Sequence, residues 1–213
     1  MKKFIAWLAL CSLISTAGAT ETKLEKIQVD TSMAAVERGI DNLMGNCHNC
    51  HTLKYVKYHD LLHFGISKSK VDAWRGDQPL DAPMTGLLPD TAAMQSFGKI
   101  PPDLSLMANA REGGPSYVYA YLLGYYTTAE GLPGNHIFPE TKMPDALGIS
   151  SATDEAQRAE IKSKARDIVS FLTWAADPHK AERHRLGYYV IGYLLVLTLM
   201  MYFVKKKIWS RLE

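Results

Sequence analysis

The stretch Cys47-His48-Asn49-Cys50-His51 decides how the rest of the chain is read. Two thiols separated by two residues can each add to one vinyl group of a haem, and the histidine directly after the second thiol then lies under the iron as its axial ligand. Other uses of a CxxC pair fit poorly. A zinc site needs a second pair of soft ligands nearby, and the remaining cysteine, Cys11, sits far away in an apolar N-terminal run. A thioredoxin-like dithiol wants a βαβ pattern around it, and none is visible. The motif therefore predicts one covalent haem c, attached through Cys47 and Cys50 with His51 on the iron.

Both ends of the chain are written for membranes. Lys2 and Lys3, the apolar run Phe4 to Ile14 and Ala17-Gly18-Ala19 form a secretory signal over residues 1–19. Cleavage there removes Cys11 and leaves only the haem cysteines. At the other end Leu186 to Val204 carries no formal charge. At about 1.5 Å per residue it makes roughly 28 Å of helix, enough for a hydrocarbon core near 30 Å. Tyr188, Tyr189, Tyr202 and Trp209 mark its two interfaces. The expected organisation is a signal (1–19), an exported haem domain (20–185), a transmembrane anchor (186–204) and a cytoplasmic tail (205–213). That places the chain in the inner membrane of a bacterium, with its haem domain in the periplasm. A net charge of +2, with no basic patch interleaved with aromatics, excludes nucleic acid as a partner.

Between signal and anchor the patterning is helical. Val36, Ile40, Leu43 and Met44 recur at helical spacing over 31–46, behind Thr31 or Ser32 as cap. Gly39 lies on the same face as Leu43 and Cys47, which predicts close contact with another helix. Residues 51–64 read as a second short helix, 67–99 as turns with short helical pieces, and Pro101-Pro102-Asp103 as the start of a further helix. An aromatic helix is expected over 116–126, an irregular segment over 130–148 and a long helix over 154–176. Strand patterning is almost absent, so the fold class is mainly α: a cytochrome c-type haem domain with one C-terminal transmembrane helix.

The second axial ligand decides what such a haem does. An open side permits gas binding or peroxide chemistry, whereas a methionine sulfur closes it and raises the potential. Met143 lies in a proline-punctuated loop before the final helix, with Pro144 stiffening the chain after it. It is the first candidate, and His136 and Met107 are the alternatives. His59 and His63 follow His51 too closely to reach its opposite side and read as solvated. A propionate needs a cation or hydrogen-bond donors, and Arg111 is the candidate.

The blocks CHNCH, PPDLS (Pro101 to Ser105), AR-x-GG-x-x-YV-x-x-x-L-x-GY (Ala110 to Tyr125) and FLTWAADP (Phe171 to Pro178), with the basic-flanked C-terminal anchor, resemble the cytochrome c1 family. The likeness runs from about Glu37 to Trp209. It implies axial ligation by His51 and by the methionine matching Met143, Arg111 near a propionate, and Pro101 and Pro102 against the haem. It also implies a place beside cytochrome b and a Rieske iron–sulfur subunit in a ubiquinol–cytochrome c reductase (the cytochrome bc1 complex). Electrons would arrive from the Rieske centre and leave to a soluble or membrane-tethered c-type cytochrome. The protein would itself be a carrier within a quinol–cytochrome c oxidoreductase. Only Phe138-Pro139 and Met143-Pro144 remain of the family's longer distal run, so the chain reads as a compact, divergent bacterial member. Two other readings stand beside this one. A free-standing anchored cytochrome feeding an oxidase would want a long linker before the anchor, and only Asp177 to Arg185 is available. A haem enzyme or sensor would want an open distal side, for which Arg111 and His136 could serve.

Overall fold

The computed structural model describes residues 24–210, so the signal expected over 1–19 lies outside the described residues. The elements run α1 (Met33–Asn46), β1 (Leu53–Lys57), a 3₁₀ helix (Tyr58–Phe64), α2 (Lys68–Arg75), β2 (Pro83–Met84) and α3 (Asp90–Phe97). They continue with α4 (Met107–Ala110), α5 (Pro115–Leu123), β3 (Tyr125–Thr127), β4 (Pro133–Asn135), a 3₁₀ turn (Ile149–Ser151), α6 (Glu155–Ala176) and α7 (Lys180–Trp209). The fold is mainly helical, and its strands form two short antiparallel pairs, β1 with β2 and β3 with β4.

The core is built where α1 crosses α6. Ser32 caps α1, its hydroxyl accepting the Ala35 N–H at 3.3 Å. The apolar face then buries Val36, Ile40, Leu43 and Met44. Asp154 caps α6 through the Gln157 N–H at 2.7 Å, and α6 answers with Ala165, Ile168, Val169, Phe171 and Leu172. The crossing point is Gly39, as its position on the buried face predicts. A Cβ added there would stand 2.1 Å from the Asp167 carbonyl oxygen and 2.8 Å from Phe171 Cβ. At the adjacent position the Arg38 guanidinium grips the Asp167 carboxylate in bidentate fashion, Nε to Oδ2 at 3.0 Å and Nη2 to Oδ1 at 2.9 Å. Arg38 is more than half exposed, so this pair fixes the register of the two helices more than it adds stability.

Two sequence expectations fail here. Residues 51–64 are not one helix: Leu53–Lys57 is a strand and only Tyr58–Phe64 turns, as 3₁₀. Leu53 pairs with Met84, and the Lys54 and Tyr55 N–H groups donate to Asp103 Oδ2 at 2.8 Å and Ser105 Oγ at 3.1 Å. Those partners hold the backbone extended, and the run Leu-Lys-Tyr-Val-Lys suits a pleated edge. For the same reason Pro101-Pro102-Asp103 starts no helix. Its groups are spent on the neighbouring strand, and α4 begins only at Met107.

Only Asp177, Pro178 and His179 separate α6 from α7, and Arg183 pairs with Asp177 across that corner. The 30 residues of α7 span about 45 Å at the helical rise. None of its side chains is buried. It is long and apolar enough to cross a membrane.

The Gly39 crossing gives a sharp test. Alanine favours helix by about 1 kcal/mol over glycine, so Gly39→Ala should stabilise an isolated α1. In the folded protein it must push α1 off α6, and overpacking of this kind costs about 1–3 kcal/mol. We expect the thermal midpoint, followed by circular dichroism, to fall by about 3–10 °C. A midpoint that holds or rises would show that the two helices do not meet at Gly39.

Candidate haem site

An apolar cleft opens between the end of α1, the Pro101–Met107 segment, α5, the Phe138–Pro144 loop and α6. It holds about 1160 Å³ of atom-free space including its mouth. Cys47, Cys50, His51, Pro101, Pro102, Arg111 and Met143 all line it, together with Met107. His136 does not. Its ring stacks on Tyr126 at 4.3 Å, away from the cleft.

The cysteine side is set by the end of α1. Cys47 closes the helix, its N–H donating to the Leu43 carbonyl, and the His51 N–H returns to the Cys47 carbonyl at 2.9 Å. This tight turn brings both sulfurs and the imidazole onto the cleft. Gly86 packs beneath it, where a Cβ would come within 3.2 Å of the Cys50 and His51 backbone. His51 is buried, and its Nδ1 lies 2.8 Å from the Pro102 carbonyl oxygen. A carbonyl can only accept, so Nδ1 carries the proton and Nε2 keeps its lone pair for a metal. Burial pushes the His51 pKa down, with the Pro102 carbonyl and Asp103 partly opposing it, and so favours the neutral, ligating form. Leu104 N–H to the Thr52 carbonyl at 2.8 Å and Ser105 N–H to Asp103 Oδ1 at 3.0 Å hold the Pro102 segment in place.

The thiols separate the possible uses of the motif. Burial pushes Cys47 up to about 12, helped by Cys50 beside it. A redox dithiol or a zinc ligand needs a thiolate near neutral pH, and this site holds the Cys47 proton on. Neither cysteine is in a disulfide. A covalent thioether, with no charge to solvate, suits such a position. The donor set, the free Nε2 and the apolar walls therefore fit a haem c.

The methionine side is built differently. The Thr141 hydroxyl accepts the Met143 N–H at 3.2 Å, and the Tyr125 hydroxyl donates to the Met143 carbonyl at 3.1 Å. Tyr121 closes the ring, its hydroxyl bonded to Thr141 Oγ1 and 3.0 Å from that of Tyr125. Burial, then the Tyr121 hydroxyl, pushes the Tyr125 pKa up, so it stays a donor. Asn135 donates to the Tyr121 carbonyl at 2.8 Å, and Asp145 caps the following turn through the Gly148 and Ser150 N–H groups. Sequence reading missed this clamp, because Tyr121 and Tyr125 look like ordinary helix aromatics and their bonds join residues up to twenty apart. Arg111 lies on the rim with its guanidinium 5.9 Å from the Tyr117 ring centroid. Lys99 and Lys142 stand on the same rim.

Comparison with known proteins places this geometry. The family model described as "Cytochrome C1 family" matches residues 23–212. The cytochrome c1 of Allochromatium vinosum is 30% identical, with 95% of this chain and 94% of that protein aligned. That of Rhodospirillum rubrum is 30% identical over 82% and 80% of the two chains. A cytochrome b/c1 from Bradyrhizobium diazoefficiens is also 30% identical, over 83% of this chain but 33% of its own length. Among solved structures, a chain of a hyperthermophilic respiratory Complex III superposes with a TM-score of 0.50 at 20% identity, covering 99% and 97% of the two chains. It shares the fold.

The clamp on Met143 predicts the effect of one oxygen atom. Tyr125→Phe keeps the ring but strips the Met143 carbonyl of its donor, a loss worth about 1–2 kcal/mol. The thermal midpoint should drop by about 2–8 °C, and proteolytic cleavage within 138–148 should accelerate. Wild-type melting and cleavage in Tyr125→Phe would mean that the hydroxyl does not hold this loop.

Proposed function

This chain belongs to the cytochrome c1 family and is an electron-transfer subunit of the cytochrome bc1 type, and from that premise we propose how its own residues carry the electron. Cys47 and Cys50 would attach one haem c in the cleft, and His51 and Met143 would ligate its iron. Arg111 would pair with a propionate, and Pro101 and Pro102 would pack against the macrocycle. The observation that carries this reading is the convergence of all seven residues on one apolar cleft, with the His51 tautomer fixed for ligation.

Haem c, when bound, supplies a one-electron iron couple. His51 is oriented by the Pro102 carbonyl, which also raises its basicity as a ligand. As a ligand, the Met143 thioether would favour the reduced state and raise the potential. Leu104, Val118, Leu122, Ile168 and Leu172 give the cleft apolar walls, so little solvent would have to reorganise around a bound haem when its charge changes. The chain breaks no substrate bond. It receives electrons from the Rieske iron–sulfur subunit, beside cytochrome b, and passes them to a soluble or membrane-tethered c-type cytochrome.

Helix α7 anchors the domain, with Lys205, Lys206 and Lys207 on the cytoplasmic side of a bacterial inner membrane and the haem domain in the periplasm. The three-residue corner before α7 and its Arg183–Asp177 pair favour a fixed subunit over a tethered shuttle. With His136 turned away from the cleft, a sensor or peroxidase built on an Arg111–His136 pair loses its support.

Purified in mild detergent, the chain should bring cytochrome b and the Rieske protein with it. In that complex Met143→Leu should retain covalent haem but lose quinol–cytochrome c turnover. Its potential should fall by on the order of a few hundred millivolts. A wild-type potential in this variant would move ligation to Met107, and isolation of the chain without either partner would support the shuttle.

A further inference from the structure

Away from the cleft, the 3₁₀ helix Tyr58–Phe64 presents His59, Asp60 and His63 on one side, with one donor atom from each within 4.8 Å of the others. None of the three lines the haem site. Asp60 Oδ1 lies 2.9 Å from His59 Nε2, while Asp60 Oδ2 accepts the Lys57 N–H at 2.8 Å, so its carboxylate is held with one oxygen free for the cluster. His63 stands one turn on, its ring centroid 6.4 Å from that of His59.

A fourth residue comes from elsewhere in the chain. The His59 N–H donates to the Leu80 carbonyl at 2.9 Å, the Tyr58 N–H to that of Ala82 at 3.2 Å, and the Ala82 N–H to that of Pro79 at 2.9 Å. These bonds fix Asp81 beside the helix, with its Oδ1 3.0 Å from His59 Nδ1. That nitrogen is shut off from solvent, and the contact lies off the line of a proper hydrogen bond. A buried ring nitrogen facing a carboxylate, with the opposite nitrogen facing a second carboxylate and a second imidazole, is how metal-bound histidines are commonly oriented.

We propose that His59, Asp60 and His63 bind a divalent transition-metal ion of the zinc class, with Asp81 orienting His59. Two imidazoles and one carboxylate oxygen suit a borderline cation. Magnesium and calcium demand mostly oxygen ligands. His63 is exposed, so water completes the coordination. The ion would pin the 3₁₀ helix without touching the haem cysteines.

The test uses the haem-loaded full chain in detergent, purified without a histidine tag, stripped with chelator and titrated calorimetrically with zinc chloride. One zinc per chain should bind. His59→Gln and His63→Gln should each weaken binding by about 100-fold, and Asp81→Asn by about 10-fold, since orienting partners are worth 10–100-fold. His136→Ala should change nothing. Zinc-edge X-ray absorption of the wild type should read two nitrogens and otherwise oxygen, which keeps the proposal testable if a variant fails to fold. Three results overturn it: no saturable zinc binding, binding that survives both histidine substitutions, or a sulfur ligand at zinc. In the first case, a lower thermal midpoint of Asp81→Asn without metal would identify the cluster as an ion-paired histidine clamp only.

Discussion

The contact between Gly39 and the backbone of α6 sets the spacing on which the haem cleft depends. Helix α1 carries Cys47 at its C-terminal end, and α6 supplies Ile168 and Leu172 to the cleft wall. A single Cβ at residue 39 would demand space that the Asp167 carbonyl already occupies. Glycine there costs α1 some helical propensity. The close approach more than offsets it by sealing Val36, Ile40 and Leu43 against Val169 and Phe171. Apolar burial of this kind contributes about 25 cal/mol per Å², and it draws the attachment turn and the cleft wall together.

With that frame set, the two sides of the cleft are positioned by the same device, in which polar groups behind the wall hold a residue that faces an apolar interior. The Pro102 carbonyl fixes His51, and the Tyr125, Tyr121 and Thr141 hydroxyls fix the backbone of Met143. Both holding sets come from parts of the chain distant from the attachment turn. Thioether bonds at Cys47 and Cys50, as we propose, would anchor a haem without selecting its axial geometry. The selection would fall to these hydrogen bonds, which are partly buried and costly to break.

What could be read from the sequence followed the physical origin of each feature. The cysteine motif was legible because covalent attachment dictates its spacing, and α1 and α6 were legible because their apolar faces repeat every 3.6 residues. Gly39 announced a close contact by lying on a buried face. The strand after His51 was not legible. Its partners, Met84, Asp103 and Ser105, lie 31 to 50 residues away, and without them Leu53 to Phe64 passes for a helix. The PPDLS block misled for the complementary reason, since proline at a helix start is a valid local signal that tertiary hydrogen bonds here override. The roles of Tyr125 and Asp81 were not legible. Each matters only through a partner the fold supplies, Met143 for one and His59 for the other.

We propose that Met143 lies on the iron opposite His51 in a single covalent haem. Labelling the methionine methyl groups with ¹³C and recording NMR spectra of the reduced, diamagnetic protein tests it directly. A methyl group bound to the iron sits over the porphyrin ring, and the ring current carries its resonance far upfield of every other methionine. The account predicts one such resonance, absent from the spectrum of Met143→Leu and present in that of Met107→Leu. An upfield methyl that survives Met143→Leu, or a spectrum with none, would contradict it.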